Sequence, residues 1–119
     1  MGQHNVFGHE GEQIATDFLI KKGYQILKRN YRYDRAEIDI LAQKEDILAI
    51  VEVKSRTSDF LEDISQTINP SKIKRLVKAA NQYVVENDLD VEVRFDTVLI
   101  IKNKKQLEVE HLEDAFHHF

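Results

Sequence analysis

The amino-acid sequence predicts an α/β fold in which a mixed β-sheet is flanked by helices, with the element order α-β-β-β-α-β-β. Three strand-like segments follow one another, a long amphipathic helix comes next, and further strand-like segments follow that helix. Because hairpins join antiparallel strands and a helical crossover joins parallel ones, this order requires both kinds of pairing. The 119 residues fit a single domain spanning 1–119.

The first predicted elements are a helix over residues 8–22 and a strand over residues 24–33. Gly23 ends the helix, because glycine readily adopts the left-handed conformation that is common after a last helical turn. Apolar residues recur on one face of this helix, at positions Ile14, Ala15, Phe18 and Leu19.

Residues 37–43 and 47–53 predict two further strands joined by a polar turn. The second of them is apolar enough to be a central strand that is buried on both faces. In the first, side chains alternate, with Ile38, Ile40 and Ala42 on one side and Glu37, Asp39 and Leu41 on the other.

The second half of the chain contains one long helix between less regular segments. Residues 55–68 predict a loop or a short helix. Asn69 and Pro70 predict a helix start, since asparagine caps a helix and proline suits its first position, and the helix continues to about residue 86. The remaining predictions are a strand over 91–101, a turn at 103–105, an edge strand over 107–110 and a final helical turn over 111–116.

Carboxylates and a lysine share one face of the predicted hairpin. With a turn of two or four residues, positions whose numbers sum to 89 face each other, so Glu37 lies opposite Glu52. Asp39 then lies opposite Ile50 and diagonally from Glu52, within reach of one shared ion. Since side chains alternate along a strand, Lys54 projects from the same face as Glu52.

This grouping of residue types predicts a metal-dependent phosphodiesterase site. Neighbouring carboxylates repel one another unless a cation lies between them, and Mg²⁺ prefers oxygen ligands from carboxylates, water and phosphate. A lysine two residues after a ligand can orient the attacking water or stabilise charge in the transition state. The alternative is that Glu52 and Lys54 only form an ion pair at the end of a strand.

The composition and the N-terminal residues exclude several classes of function. The absence of cysteine excludes thiol nucleophiles, zinc-thiolate sites and iron–sulfur clusters, and it suits a reducing cytoplasm. The N-terminal residues show no signal-peptide pattern, and the longest apolar run, 47–51, is too short to span a membrane. The net charge of −4 gives no general affinity for nucleic acid, so any phosphate contact needs a locally positive face.

Several basic residues lie near the predicted site in the sequence. We expect Arg32, Arg35 and Arg56 to contact phosphates, and we expect the basic residues of the long helix to face solvent. Those helix residues are Lys72, Lys74, Arg75 and Lys78.

A series of short motifs resembles the YraN-like family of small bacterial proteins, in order and over nearly the whole chain. The motifs are Gly11-Glu12, Gly23-Tyr24-Gln25-Ile26-Leu27, Arg29-Asn30-Tyr31-Arg32, Glu37-Ile38-Asp39-Ile40-Leu41-Ala42, Val51-Glu52-Val53-Lys54-Ser55-Arg56, Arg94-Phe95-Asp96-Thr97-Val98, Glu110-His111-Leu112 and Ala115-Phe116. That family is similar to Holliday-junction resolvases and restriction endonucleases of the PD-(D/E)xK superfamily.

The resemblance implies a restriction-endonuclease-like sheet with a divalent-metal site, Mg²⁺ or Mn²⁺, at one edge. By position, Asp39 and Glu52 correspond to the acidic metal ligands and Lys54 to the motif lysine. Glu12 corresponds to a first-helix glutamate of the resolvase branch, although its residue type and position also fit a solvated glutamate at a helix start. Glu37 matches the family motif without an assigned role, and Ala36 replaces the glycine usual before that motif.

The resemblance therefore implies an endonuclease that acts on DNA, with branched or recombining DNA among the candidate substrates. Cleavage of two strands favours a symmetric homodimer. Because a fold does not settle a function, two alternatives stay open: a non-catalytic nucleic-acid-binding module of the same fold, and a structural or partner-binding domain.

Overall fold

A five-stranded mixed β-sheet is the centre of the computed structural model, which describes residues 2–57, 70–103 and 106–115. The strands lie in sequence order across the sheet, and β3 is the middle strand. β3 and β4 are parallel and are joined through α2, whereas the other neighbouring pairs are antiparallel. The elements are α1 (Gly2–Lys21), β1 (Gln25–Tyr33), β2 (Ala36–Lys44), β3 (Ile47–Thr57), α2 (Pro70–Glu86), β4 (Glu92–Lys102) and β5 (Leu107–Leu112).

The predicted fold class and element order are confirmed, and the element boundaries differ by two residues or more at three places. Helix α1 begins at Gly2, six residues before the predicted start, and ends before Gly23, whose φ of 99° requires glycine. Strand β3 continues to Thr57, and residues 58–68 of the predicted loop lie outside the described residues. The predicted helical turn over 111–116 is wrong as far as residue 115, because β5 extends through Leu112 and a turn follows it.

One hydrophobic core lies on each face of the sheet. The core on the α1 side consists of Ala15, Leu19, Tyr24, Ile40, Ala42, Ala49, Val51, Val98 and Ile100. The core on the α2 side consists of Tyr31, Ala36, Ile38, Leu41, Leu48, Ile50, Leu76, Ala79, Ala80, Tyr83 and Phe95. Strand β3 contributes buried residues to both, as expected for a central strand.

The predicted alternation of β2 fails at one point. Ile38 packs in the α2-side core, whereas Ile40 packs in the α1-side core, although simple alternation would place both on one face. The irregularity is shared with β1, where Asn30 has a φ of 54° between the pairs Arg29–Ile40 and Tyr31–Ile38. A left-handed residue interrupts the regular pleat, so the side chains that follow change faces.

The predicted register of the β2–β3 hairpin is also wrong. Lys44 pairs with Ile47 across a two-residue turn, so positions whose numbers sum to 91, not 89, face each other. Glu45 in this turn has a φ of 57°, a conformation that short hairpin turns require. Within the described residues, neither helix is long and apolar enough to cross a membrane.

A carboxylate-lined cavity as candidate active site

Strands β2 and β3 separate at the residues that carry the acidic motif. Their backbone pairing runs from Lys44–Ile47 to Ile40–Val51. One residue further, the Asp39 carboxylate replaces a backbone acceptor, because its Oδ2 accepts a hydrogen bond of 2.8 Å from the Val53 amide. The predicted pairs Glu37–Glu52 and Asp39–Ile50 are not formed, because Ile50 pairs with Leu41 and the regular pairing ends before Asp39 and Glu52.

The Glu52 side chain is 12% exposed and lies between two lysines. Its Oε1 pairs with Lys54 Nζ at 3.0 Å and also with Lys72 Nζ from the first turn of α2. Burial alone would raise the pKa of Glu52, but the hydrogen bonds from Lys72 and Lys54 outweigh it and hold this pKa below its ordinary value. Glu52 is therefore ionised, and its Oε2 is buried without a hydrogen-bond partner in the described part of the chain.

Asp39 has the opposite electrostatic environment. Burial raises the pKa of Asp39 to about 6, even though the Val53 amide stabilises its charged form. The negative charges of Glu12, Glu52 and Glu37 raise this pKa further. Asp39 is thus placed among carboxylates, as the sequence predicts, and a cation at this point would relieve the repulsion.

Glu12 reaches this region because α1 packs closely against β3. A Cβ added at Gly11 would collide with Ser55 Oγ, so a larger residue here would force the Ser55 side chain or the helix to move. The Glu12 carboxylate lies 3.6 Å from Arg29 Nη2 and contributes to the raised pKa of Asp39. Glu12 is therefore a neighbour of the site and not a solvated residue at a helix start, since α1 begins ten residues earlier.

A cavity of about 300 Å³ opens beside the two carboxylates, between the ends of β2 and β3 and the start of α2. Acidic residues come from the strands, and basic residues come from α2 and from the turn before β2. Its lining residues are Arg35, Ala36, Glu37, Asp39, Glu52, Lys72, Arg75 and Leu76.

Of the three arginines that were expected to contact phosphates, only one lines the cavity. Arg35 lines the cavity, whereas exposed Arg32 forms a 2.6 Å ion pair with Glu37. Arg56 donates to the Ser55 carbonyl at 2.8 Å and does not line the cavity.

The cavity also contains two basic residues that the sequence prediction assigned to solvent. Lys72 and Arg75 lie on the α2 wall. The expectation of a solvated face is wrong for Lys72, which is half-buried and pairs with Glu52, whereas Arg75 is exposed to solvent as expected. One signal was available for Lys72: it precedes Leu76 by four residues, which places it one turn from this apolar residue, at the border of the apolar stripe of α2.

The oxygen atoms of Asp39 and Glu52 suit a hard cation such as Mg²⁺, which takes carboxylates, water and phosphate as ligands. The unsatisfied Oε2 of Glu52 and the repulsion around Asp39 both fit such an ion. Within the described ranges, however, no group of three or more histidine, aspartate or glutamate side chains is arranged to hold a metal. A bound ion would therefore need water, substrate or a moved Glu12 to complete its ligands.

A second buried polar cluster connects β4, β5 and the residues that follow α1. Asp96 is fully buried and accepts hydrogen bonds from Arg94 at 2.8 Å and from His111 Nε2 at 2.8 Å. The other ring nitrogen of His111 lies 2.7 Å from Lys22 Nζ, and Arg94 also donates to the Tyr24 hydroxyl. The hydrogen bonds from His111 and Arg94 hold the pKa of Asp96 below its ordinary value despite burial.

Comparison with known proteins identifies relatives along the whole chain. The model of the uncharacterised protein family UPF0102 matches residues 11–100. A UPF0102 protein of Flavobacterium psychrophilum is 51% identical over 119 residues, and one of Christiangramia forsetii is 46% identical over 119 residues, each covering all of both chains. A UPF0102 protein of Parabacteroides distasonis is 43% identical over 117 residues, which are 98% of this chain and 97% of the relative.

Proposed function

This chain belongs to the uncharacterised protein family UPF0102, and we propose that it is a divalent-metal-dependent endonuclease that hydrolyses phosphodiesters in DNA. UPF0102 is the YraN-like family that the sequence motifs resemble. The family name carries no activity, so the proposal depends on the site.

One observation carries the proposal: Asp39, Glu52 and Lys54 meet where β2 and β3 separate, beside a cavity with basic residues on its other wall. Carboxylates and a lysine next to a phosphate-sized opening form the set of groups needed to hold a divalent ion and a phosphodiester. The raised pKa of Asp39 supports the same assignment, because repelling carboxylates mark a position where positive charge is favourable.

Each residue has a distinct proposed role. Asp39 and Glu52 bind Mg²⁺ or Mn²⁺, and Glu12 adds negative charge or a water-mediated contact. When bound, the ion would lower the pKa of a water molecule and stabilise charge on the phosphate. Lys54, which is 14% exposed beside Glu52, orients that water by hydrogen bonding and stabilises developing negative charge.

A second candidate function is a nucleic-acid-binding module of this fold without catalysis. It is favoured by one observation, the pairing of Glu52 with both Lys54 and Lys72, since a carboxylate already neutralised by two cations has less need of a metal. Under either function we place the protein in the cytoplasm with DNA as its partner. Under the endonuclease function, cleavage of two strands favours a homodimer.

A cleavage assay with four-way-junction, flap and fork DNA, with and without Mn²⁺, tests the proposal. We expect Mn²⁺-dependent cleavage that is lost in Asp39→Ala and Lys54→Ala and retained in Lys78→Ala, which removes an exposed lysine of α2. Calorimetry should show Mn²⁺ binding that is lost in Glu52→Ala.

The possible results separate the functions. Cleavage that survives Lys54→Ala would identify a contaminating nuclease and refute the assignment of Lys54. DNA binding without cleavage under any divalent ion would favour the non-catalytic module. Absence of DNA binding at low salt would favour a structural or partner-binding domain, because phosphate contacts are strongest there.

A further inference from the structure

We propose that Lys72 and Arg75 form a phosphate-binding site on the α2 wall of the cavity, and that Lys72 exchanges partners, from Glu52 to a nucleic-acid phosphate, when a metal ion binds. This inference rests on the proposed function and adds to it the groups that hold the substrate. It concerns two residues that neither the motifs nor the family resemblance assigns.

The first argument is the distribution of charge across the cavity. The strand wall carries carboxylates, which repel a phosphate, and the opposite wall carries Lys72 and Arg75. These two residues are three positions apart, so they lie side by side on one face of α2. A phosphate in the cavity would be attracted to the α2 wall, where an ammonium and a guanidinium group can bind it together, with Arg35 as a further positive charge at the cavity.

The second argument is the difference between the two lysines that pair with Glu52. Lys54 is 14% exposed and extends from the same strand as Glu52, so its position is closely restricted. Lys72 is 33% exposed and reaches Glu52 from a different element through four flexible methylene groups. Lys72 is therefore the lysine that can leave Glu52 without disturbing the sheet.

The third argument is the arrangement of contacts at Glu52. Both lysines pair with Oε1, so a divalent ion at this carboxylate would lie close to two positive charges. Movement of Lys72 to a phosphate removes one of these repulsions and supplies the phosphate with a counter-charge. Metal and substrate binding should consequently favour each other through this one side chain.

If Lys72 exchanges partners, its removal should change the affinities for Mn²⁺ and for DNA in opposite directions, which a purely structural role of Lys72 would not predict. In Lys72→Ala, Mn²⁺ should bind several-fold more tightly in the absence of DNA, because Glu52 has lost a competing cation. The same variant should bind junction DNA more weakly in Ca²⁺, and the slope of log K against log salt should fall by about 0.9 for the lost phosphate contact. In Arg75→Ala, DNA affinity and slope should fall in the same way while Mn²⁺ affinity stays unchanged.

Mn²⁺ calorimetry and DNA-binding titrations at several salt concentrations provide these readouts on the full chain. Lys78→Ala is the matched control, since it removes the same charge from an exposed position of α2 and should alter neither affinity. If Lys72→Ala is poorly folded, Lys72→Gln retains most of the side chain and removes the charge.

The outcomes distinguish this inference from the function on which it rests. An unmodified chain that binds Mn²⁺ and DNA, with Lys72 variants that bind Mn²⁺ no more tightly, would overturn the exchange alone. Unchanged DNA affinity and salt slope in both variants would overturn the phosphate site. An unmodified chain that binds no Mn²⁺ would refute the proposed function, and the exchange with it.

Discussion

Substitution of Asp39 by asparagine should make the metal-free protein more stable at neutral pH while it abolishes metal binding. The amide oxygen of asparagine can still accept the hydrogen bond from Val53, so the strand connection is retained. The change removes the negative charge that burial and three neighbouring carboxylates oppose. Asp39→Asn therefore measures the cost of the buried negative charge while it keeps the size and the hydrogen bond of the side chain.

The magnitude follows from the pKa of Asp39, which is raised from 3.8 to about 6. A native state with a raised pKa holds its proton more tightly than the unfolded chain, so the stabilisation is present below pH 4 and lost as pH rises through 6. At roughly 1.36 kcal/mol per pKa unit, ionisation of Asp39 costs about 3 kcal/mol above pH 7. The advantage of Asp39→Asn should thus grow from below 1 kcal/mol at pH 4 to about 1.5 kcal/mol at pH 5 and about 3 kcal/mol at pH 7.

Urea unfolding between pH 4 and 8 in the presence of a chelator measures this difference. Asp90→Asn, at an exposed loop position, is the matched control and should show no comparable pH dependence. Mn²⁺ at about 100 times its dissociation constant should stabilise the unmodified chain by about 2.7 kcal/mol and leave Asp39→Asn unchanged. A constant difference between the two proteins from pH 4 to 8 would contradict the proposed strain at Asp39.

Three further changes test other contacts. Glu52→Gln should lower stability most at neutral pH. The pKa of Glu52 is lowered in the folded protein, so its ionised carboxylate stabilises the fold above the pKa of the unfolded chain, and this stabilisation is lost as pH falls. Urea unfolding at pH 4 and pH 7 should show that the loss caused by Glu52→Gln becomes smaller in acid. Gly11→Ala should lower stability by about 1–3 kcal/mol through its collision with Ser55 Oγ, and a double-mutant cycle should show that Ser55→Ala restores most of it. Asp96→Ala should cost about 3–5 kcal/mol in thermal or urea unfolding, since it leaves buried His111 without its carboxylate partner; a loss below 1 kcal/mol would contradict a structural role for this cluster.

The order of elements could be predicted because each depends on local physical chemistry. The apolar run of β3 and the proline at the start of α2 both indicate their elements directly, and both predictions are confirmed. The hairpin register could not be predicted, because every residue of 43–46 is polar and allows more than one turn length. The left-handed conformations of Asn30 and Glu45, which determine the turn and the irregular pleat, leave little trace in the sequence.

The grouping of the site residues survived the error in register for a simple reason. Which residues share a face depends on whether the sum of paired positions is odd or even, and 89 and 91 are both odd. Asp39, Glu52 and Lys54 could therefore be brought together from the sequence, while their exact neighbours could not. The basic wall was missed because it comes from α2, whose position over the sheet is a tertiary property.

The contrast between Asp39 and Glu52 bears on the choice between the proposed metal site and a simple ion-pair network. If these carboxylates served only to balance nearby cations, each would lie beside one and have a lowered pKa. Glu52 meets that condition, but within the described residues no basic side chain forms an ion pair with Asp39, and its pKa is raised to about 6. A buried carboxylate held among others weakens the fold at neutral pH, and such strain is characteristic of positions maintained for binding or catalysis. The raised pKa of Asp39 and the neutralisation of Glu52 together support the proposed cation-binding role, because packing alone gives no reason to bury a carboxylate among other carboxylates.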